Sequence, residues 1–395
     1  MSLDEPTLAA LIADHAARGA ALEVVGSATR HSFGPGVRPE AQVSTAALSG
    51  VITYEPEELI LITRAGTPMA QITDLLTQQN QMLAFEPPDY GALLGSAPGG
   101  GTAAGVVATN LAGPRRISHG AARDHTLGFR AVNGRGEVFK SGSRVMKNVT
   151  GYDLPKLFAG SWGTLGVMTE VTLKVLPRPE DVATLLLLGL SDEAAIAGLC
   201  AGMGSAHEVS GAAYLPAATA AAMPVLAGMG HSVAALRLEG PTPSVAARLT
   251  ALREELGDRA VCHHLGTADS LTLWADIRDA GPLARQPELL VWKLSVTPSE
   301  GPATLARIGD HVLSWFDWSG GLIWVGLAPG EADGGAARVR AAIAPGGGHA
   351  TLVRAPLDLR TRVPVFPPRQ PAVTLLEARI KAGFDPAGIL NPGRR

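Results

Sequence analysis

Cysteine is almost missing: Cys200 and Cys262 are the only two in 395 residues, and they stand in no Cys-x-x-Cys. The chain therefore offers neither a disulfide framework nor thiolate ligands for an iron-sulfur cluster, and a reducing cytoplasm suits it best. Long apolar runs are missing too. The run at residues 182–190 is broken by Thr184 and is far short of the roughly 20 residues of a membrane span. The opening MSLDEPTLAALIADHAARG has no basic n-region, so no export signal is expected. An excess of one charge is also lacking: 33 Lys and Arg face 36 Asp and Glu, for a net charge of -3. Nothing draws the chain to phosphate backbones, and no nucleic-acid partner is expected.

What is present is a globular composition, 46% hydrophobic and 17% charged, in a length that calls for two domains or one domain with a large insertion. Leu8, Leu11, Ile12 and Ala16 recur at helical spacing behind Asp4 and Pro6, with Gly19 as the stop. Residues 22–25 and 59–63 read as short strands, the second followed by a helix burying Met69, Ile72, Leu75 and Leu76. Residues 86–101, with three prolines and five glycines, read as a loop. Residues 126–132 and 137–141 form a hairpin signal around Asn133-Gly134, and 167–175 alternate as a strand up to Pro177-Arg178-Pro179, the expected domain boundary. Beyond it, apolar runs near 185–190, 233–238, 289–296 and 322–327 alternate with helical stretches such as 244–256, predicting a second α+β domain. A last helix is expected around 375–382. No repeat of 20–50 residues is visible, which excludes a solenoid.

The most unusual segment is GGGTAAGVVATNLAGPRR, residues 99–116. Gly99, Gly101 and Ala104 satisfy the dinucleotide spacing G-x-G-x-x-G/A, but the breaker cluster Leu94-Gly95-Ser96-Ala97-Pro98 stands where that fingerprint requires a strand. Small residues at 99–105 would instead let backbone N–H groups approach an anion, ahead of a helix start that favours a pyrophosphate. A second glycine loop, 26–36, follows the first strand and could grip the other side of the same diphosphate. The bland alternative is long glycine loops in a glycine-rich protein.

The stretch GPRRISHGAARDHTLGFRAVNGRGEVFKSGSRVMKNVTGYDLPKLFAGSWGTLGVMTEVTLKVLPRP closely resembles the FAD-binding subunits of bacterial glycolate oxidase, within the vanillyl-alcohol-oxidase-type flavoproteins. The resemblance extends to Tyr54-Glu55-Pro56-Glu57-Glu58-Leu59, to the tail FDPAGILNPGRR and, more weakly, to 318–324. It implies an α+β fold: a two-part PCMH-type FAD-binding domain (1–178), an α+β cap (179–345), and a C-terminal segment (346–395) returning to the FAD domain. It also implies participation in oxidising glycolate to glyoxylate. Carried over by position, the first diphosphate loop is Gly26, Ser27, Ala28 and Thr29, and the second Gly100, Gly101, Thr102 and Gly105. Thr109, Gly113, Pro114 and Arg115 fall near the flavin, Asp124 in a supporting turn, and Gly163, Thr164, Gly166 and Val167 where backbone groups meet FAD. Ala28 and Ala104 replace glycines common in relatives, which removes freedom at positive φ. Some relatives attach flavin to a loop histidine. Here Thr29 holds that register and His31 falls two positions late, so the FAD is expected to be non-covalent. Met146, Lys147 and Tyr152 belong to the family-specific stretch, with structural roles equally open to Lys147 and Tyr152.

No catalytic set stands out, and no metal site is expected. His119 and His349 are isolated candidates for a base, and Lys293, Arg354 and Arg116 could each meet a carboxylate. The His-x-x-x-x-x-x-His stretch of the catalytic flavoprotein subunit is absent. The expected role is thus an FAD-binding component acting on a small 2-hydroxy acid beside a paralogous catalytic flavoprotein and an iron-sulfur subunit, cytoplasmic, with any inner-membrane contact made through partners. The rivals are a self-sufficient 2-hydroxy-acid oxidase of lactate type and an assembly subunit whose FAD is structural or absent.

Overall fold

The first helix, Glu5–Arg18, starts and stops for local reasons: Asp4 Oδ1 accepts from the Thr7 N–H at 2.9 Å, and Gly19 ends it at φ 63°. Its Leu8 and Ile12 are fully buried against Leu22, Val132, Val167 and Leu390. The computed structural model describes residues 3–36, 40–143 and 151–394. These form two units. The first takes the chain up to Ala112, Gly120–Arg178 and everything from Pro368; the second takes Gly113–His119 and Pro179–Pro367.

In the first unit, β1 (Leu22–Val25) and β2 (Ala41–Ser44) pair in parallel. β3 (Val51–Glu55), β4 (Ile60–Arg64), β6 (Thr126–Val132), β7 (Val138–Gly142) and β8 (Val167–Lys174) make an antiparallel sheet of order β3-β4-β8-β6-β7. β5 (Gln81–Met82) and β9 (Leu176–Pro177) form a short side pair. The alternation read in β8 puts Val171 and Leu173 in the core with Leu61, Ile72, Leu76, Phe85 and Val107. Phe129 stacks on Phe158 at 4.5 Å, and Phe384, ending the helix Pro371–Phe384, closes on Phe158 edge-on at 5.2 Å. The tail is then stitched down by hydrogen bonds: Asp385, buried, accepts from Lys381 Nζ and from the N–H groups of Ile389 and Leu390.

The second unit is an eight-stranded antiparallel sheet built from β10 (Asp181–Leu188), β11 (Gly211–Leu215), β12 (Val233–Gly240), β13 (Val261–Leu265), β14 (Leu290–Ser295), β15 (Leu313–Asp317), β16 (Leu322–Leu327) and β17 (His349–Arg354). Its order is β13-β10-β12-β11-β15-β16-β14-β17. Helices Asp192–Gly204, Thr242–Leu256, Gly301–Ile308 and Ala336–Ile343 share one apolar core with alternate strand residues such as Leu185, Leu187, Leu236, Leu294 and Ile323.

The α+β architecture matches the expectation, with three differences of detail. The 86–101 loop contains one helical turn, Gly91–Leu94, stopped by Gly95 at φ 79°. The segment expected to return from 346 does so only from 368, because β17 is an edge strand hydrogen-bonded to β14. Gly113–His119 goes with the second unit rather than the first. Among the described residues, no helix is long and apolar enough to cross a membrane.

Candidate functional site

The first unit holds a cleft of about 740 Å³, open mouth included, between the loop after β1, the start of the helix Ala103–Thr109, the turn at Trp162 and Gly163, and the tail. It brings together most of the residues singled out from the sequence: Gly26, Ser27, Ala28, Thr29, Thr102, Gly105, Thr109, Gly163, Gly166 and Val167 all line it. Ala28 adopts φ 58°, so it takes the left-handed conformation despite its Cβ, at a cost of about 1–2 kcal/mol. Ala104 lies within a regular helix, where a methyl group costs nothing.

The two loops are in contact. Ser27 Oγ donates to the Gly100 carbonyl. A Cβ at Gly26 would collide with Thr102 Oγ1, one at Gly105 would lie 2.9 Å from the same atom, and one at Gly100 would lie 2.8 Å from Thr29 Cγ2. Glycine is thus required for the loops to approach, which leaves main chain exposed to a ligand. Gly100 and Gly101 stand behind the lining, Gly101 beside Met69 and Arg30. The antiparallel sheet and the one-turn helix before Gly99 supply no strand of the kind the dinucleotide fingerprint needs.

Five expected residues are placed elsewhere. Gly113, Pro114 and Arg115 belong to the second unit, where Arg115 is buried in a two-pronged ion pair with Glu239: Nε donates at 2.9 Å to Oε2, and Nη2 to Oε1. Burial alone would raise the Glu239 carboxyl, but Arg237 and Arg115 overcome it and hold it at about 2. Asp124 caps its own turn, Oδ2 accepting from the Ala121 N–H at 2.9 Å, and Thr164 is buried with its hydroxyl donating to the Ser161 carbonyl at 2.7 Å. His31 lines the cleft with Nδ1 3.2 Å from Glu23 Oε1. Tyr152 is 90% exposed, and Met146 and Lys147 lie outside the described residues.

Sequence reasoning missed Arg30, Thr45, Trp162, Asn391 and Arg394, all of which line the cleft. Asn391 ties the tail to the wall: its Oδ1 accepts from the Val24 N–H at 2.7 Å and its Nδ2 donates to the Trp162 carbonyl at 2.7 Å. Arg394 donates to the His31 carbonyl at 3.2 Å and lies 5.9 Å from the Trp162 ring. Arg30 lends Nη2 to the Pro88 carbonyl at 3.1 Å, while its buried Nε has no hydrogen-bond partner.

In the second unit, two of the three carboxylate candidates converge. Lys293, Trp324 and Trp315 are direct cross-strand neighbours on β14, β16 and β15. Lys293 Nζ lies 5.3 Å from the Trp324 ring and 5.2 Å from that of Trp318, and Arg116 covers Trp318 at 5.0 Å. Trp318 and Ser319 follow at φ 52° and 58°, and Trp318 Nε1 donates to the Gly113 carbonyl at 3.2 Å. Burial first, then Arg116, pushes the Lys293 ammonium down to about 8 against the opposing pull of Asp317. Arg354, the third candidate, donates instead to the main-chain carbonyls of Leu283, Gln286 and Leu289.

Residues 4–142 match the family model described as FAD binding domain. Glycolate oxidase subunit GlcE of Escherichia coli is 33% identical over 87% of this chain and 84% of its own length. A D-lactate dehydrogenase of Anaerostipes hadrus is 34% identical over 43% of this chain but only 32% of that longer protein. Among solved structures, p-cresol methylhydroxylase superposes with a TM-score of 0.74 over 99% of this chain and 87% of its own at 13% identity. Alkyldihydroxyacetonephosphate synthase does so at 0.70 over 98% and 74% at 17% identity. Both show the same fold. FAD is the cofactor, held without a covalent bond. Similar to GlcE over most of both lengths, the chain belongs to the vanillyl-alcohol-oxidase-type flavoproteins, among the FAD-linked oxidoreductases related to glycolate, lactate and hydroxyglutarate dehydrogenases.

Proposed function

We propose that this chain is the FAD-binding component of a glycolate-oxidising assembly, acting beside a paralogous catalytic flavoprotein and an iron-sulfur subunit. The observation that carries the reading is the match to GlcE across 84% of that subunit's length. Bound FAD supplies a two-electron acceptor for the hydride of a 2-hydroxy acid. The first-unit cleft is the FAD site, with Gly26, Thr102, Gly105 and Gly163 holding their main chain against the dinucleotide. Lys293 and Arg116, gathered on Trp318, are the groups suited to a substrate carboxylate. With two cysteines 62 positions apart, the chain has no thiolate set for a cluster, so its electrons leave to another protein or directly to a small acceptor, and this reading takes the protein.

The test is glycolate-dependent dye reduction by the purified flavin-loaded chain, alone and after adding the catalytic flavoprotein and the iron-sulfur subunit. Low activity alone with strong activity in the mixture supports the reading. Equal turnover by the isolated chain, above all on D-lactate, replaces it with a self-sufficient 2-hydroxy-acid dehydrogenase.

A further inference from the structure

We propose that Arg30 is the fixed positive charge that receives the FAD diphosphate, a role that rests on the first-unit cleft being the FAD site. The usual source of such charge is a helix N-terminus with free N–H groups. Here that source is reduced to the Gly105 N–H. The first helical donors beside the glycine loop are already bonded inside the protein, Ala103 N–H to the Thr67 carbonyl and Ala104 N–H to the Ala65 carbonyl, each at 3.0 Å. One remaining N–H is little counter-charge for a diphosphate, so a side-chain cation at this wall matters more.

Arg30 is in place to supply it. It lines the cleft, and its Nη1 would lie 3.7 Å from a Cβ at Gly105 and 3.9 Å from one at Gly101, so the guanidinium abuts the main chain of both glycine positions. The Pro88 carbonyl holds Nη2 at 3.1 Å, which fixes the plane of the group. Nε is buried without a partner. A buried guanidinium N–H without an acceptor is costly, and a phosphate oxygen is an acceptor of matching charge and planar reach. Burial lowers the proton affinity of Arg30, while Tyr90 and Asp89 offset this, and arginine stays charged throughout. Asp89 does not occupy the group's role as anchor alone, since its two oxygens accept from the N–H groups of Gly91 and Gly99 and so brace the second loop.

The test compares apo-protein of the wild type with Arg30→Met, Arg30→Gln and Arg30→Lys. FAD affinity is measured across a salt series and the apo-protein's melting temperature without ligand. Met and Gln are expected to weaken FAD about 10- to 100-fold and to flatten the salt dependence, while Lys keeps most of the affinity. The apo-protein should melt no lower in Met or Gln than in the wild type, because loss of the Pro88 hydrogen bond is offset by removing a buried Nε–H that has no acceptor. Undiminished FAD binding in Arg30→Met and Arg30→Gln overturns the proposal. So does a lower apo melting temperature with an unchanged salt slope, which marks a structural arginine. Gly105→Val separates the two readings: if it too leaves FAD binding intact, the cleft is not the FAD site, whereas loss of FAD there with none in the Arg30 variants removes Arg30 alone.

Discussion

Asn391 and Val24, 367 residues apart, are joined by a 2.7 Å hydrogen bond from the Val24 N–H to Asn391 Oδ1. The same side chain donates to the Trp162 carbonyl, so one residue of the tail fixes two walls of the cleft. Asn391→Ala leaves both main-chain groups without that partner and puts alanine at φ 45°, so a loss of about 2–3 kcal/mol is expected. Urea unfolding of the apo-protein measures it, and an unchanged midpoint would show that the tail does not brace the wall.

Gly105→Val and Gly228→Val make a matched pair. Valine at 105 presses on Thr102 Oγ1 inside the cleft, whereas a Cβ at 228 meets nothing within 4 Å. Flavin content after purification should fall severely in the first and stay at the wild-type level in the second.

Glu239 sits between Arg115 and Arg237, and its carboxylate balances two buried guanidiniums. Glu239→Gln is expected to destabilise the protein by about 3–5 kcal/mol. Because the folded state holds this carboxyl at about 2, below the ordinary 4.5, its contribution is complete above pH 4.5 and is lost as the pH falls towards 2. Acid unfolding curves should show that loss in the wild type, and the Gln variant should lack it.

Lys293 gives a slope of the same sign at the alkaline end, but there the rise with pH removes a penalty instead of restoring a gain. Its folded-state value of about 8 lies below the ordinary 10.5, so between those pH values the unfolded chain binds the extra proton and stability rises with pH. Lys293→Met should therefore be stabilised most, relative to wild type, at pH 7, with the advantage shrinking by pH 10.5. A constant difference in urea midpoint across that range would show that Lys293 does not titrate in this window.

Features with short-range causes were legible in advance. The helix from Asp4 to Gly19 is written in a cap, a spacing and a stop, and β8 in a period of two from Val167 to Val175. The glycine loops were legible because close main-chain approach requires residues without Cβ. Arg30, Trp162 and Arg394 were not, since nothing in their local spacing says that residues from opposite ends of the chain meet. Arg115 illustrates the same limit in reverse: its motif suggested a flavin contact, while the residue that binds it, Glu239, is 124 positions away.

The hydrogen bonds of Asp385 and Asn391 also set an order of events during synthesis. A ribosome delivers the Gly26 loop and the Gly105 helix hundreds of residues before the tail that braces the cleft. Arg115 likewise waits for Glu239. Until residues 385–394 have left the ribosome, the β1 wall lacks its partners at Leu22 and Val24, and the cleft is incomplete. Cofactor loading is then a late event, and a tightly held flavin reports that the tail has docked.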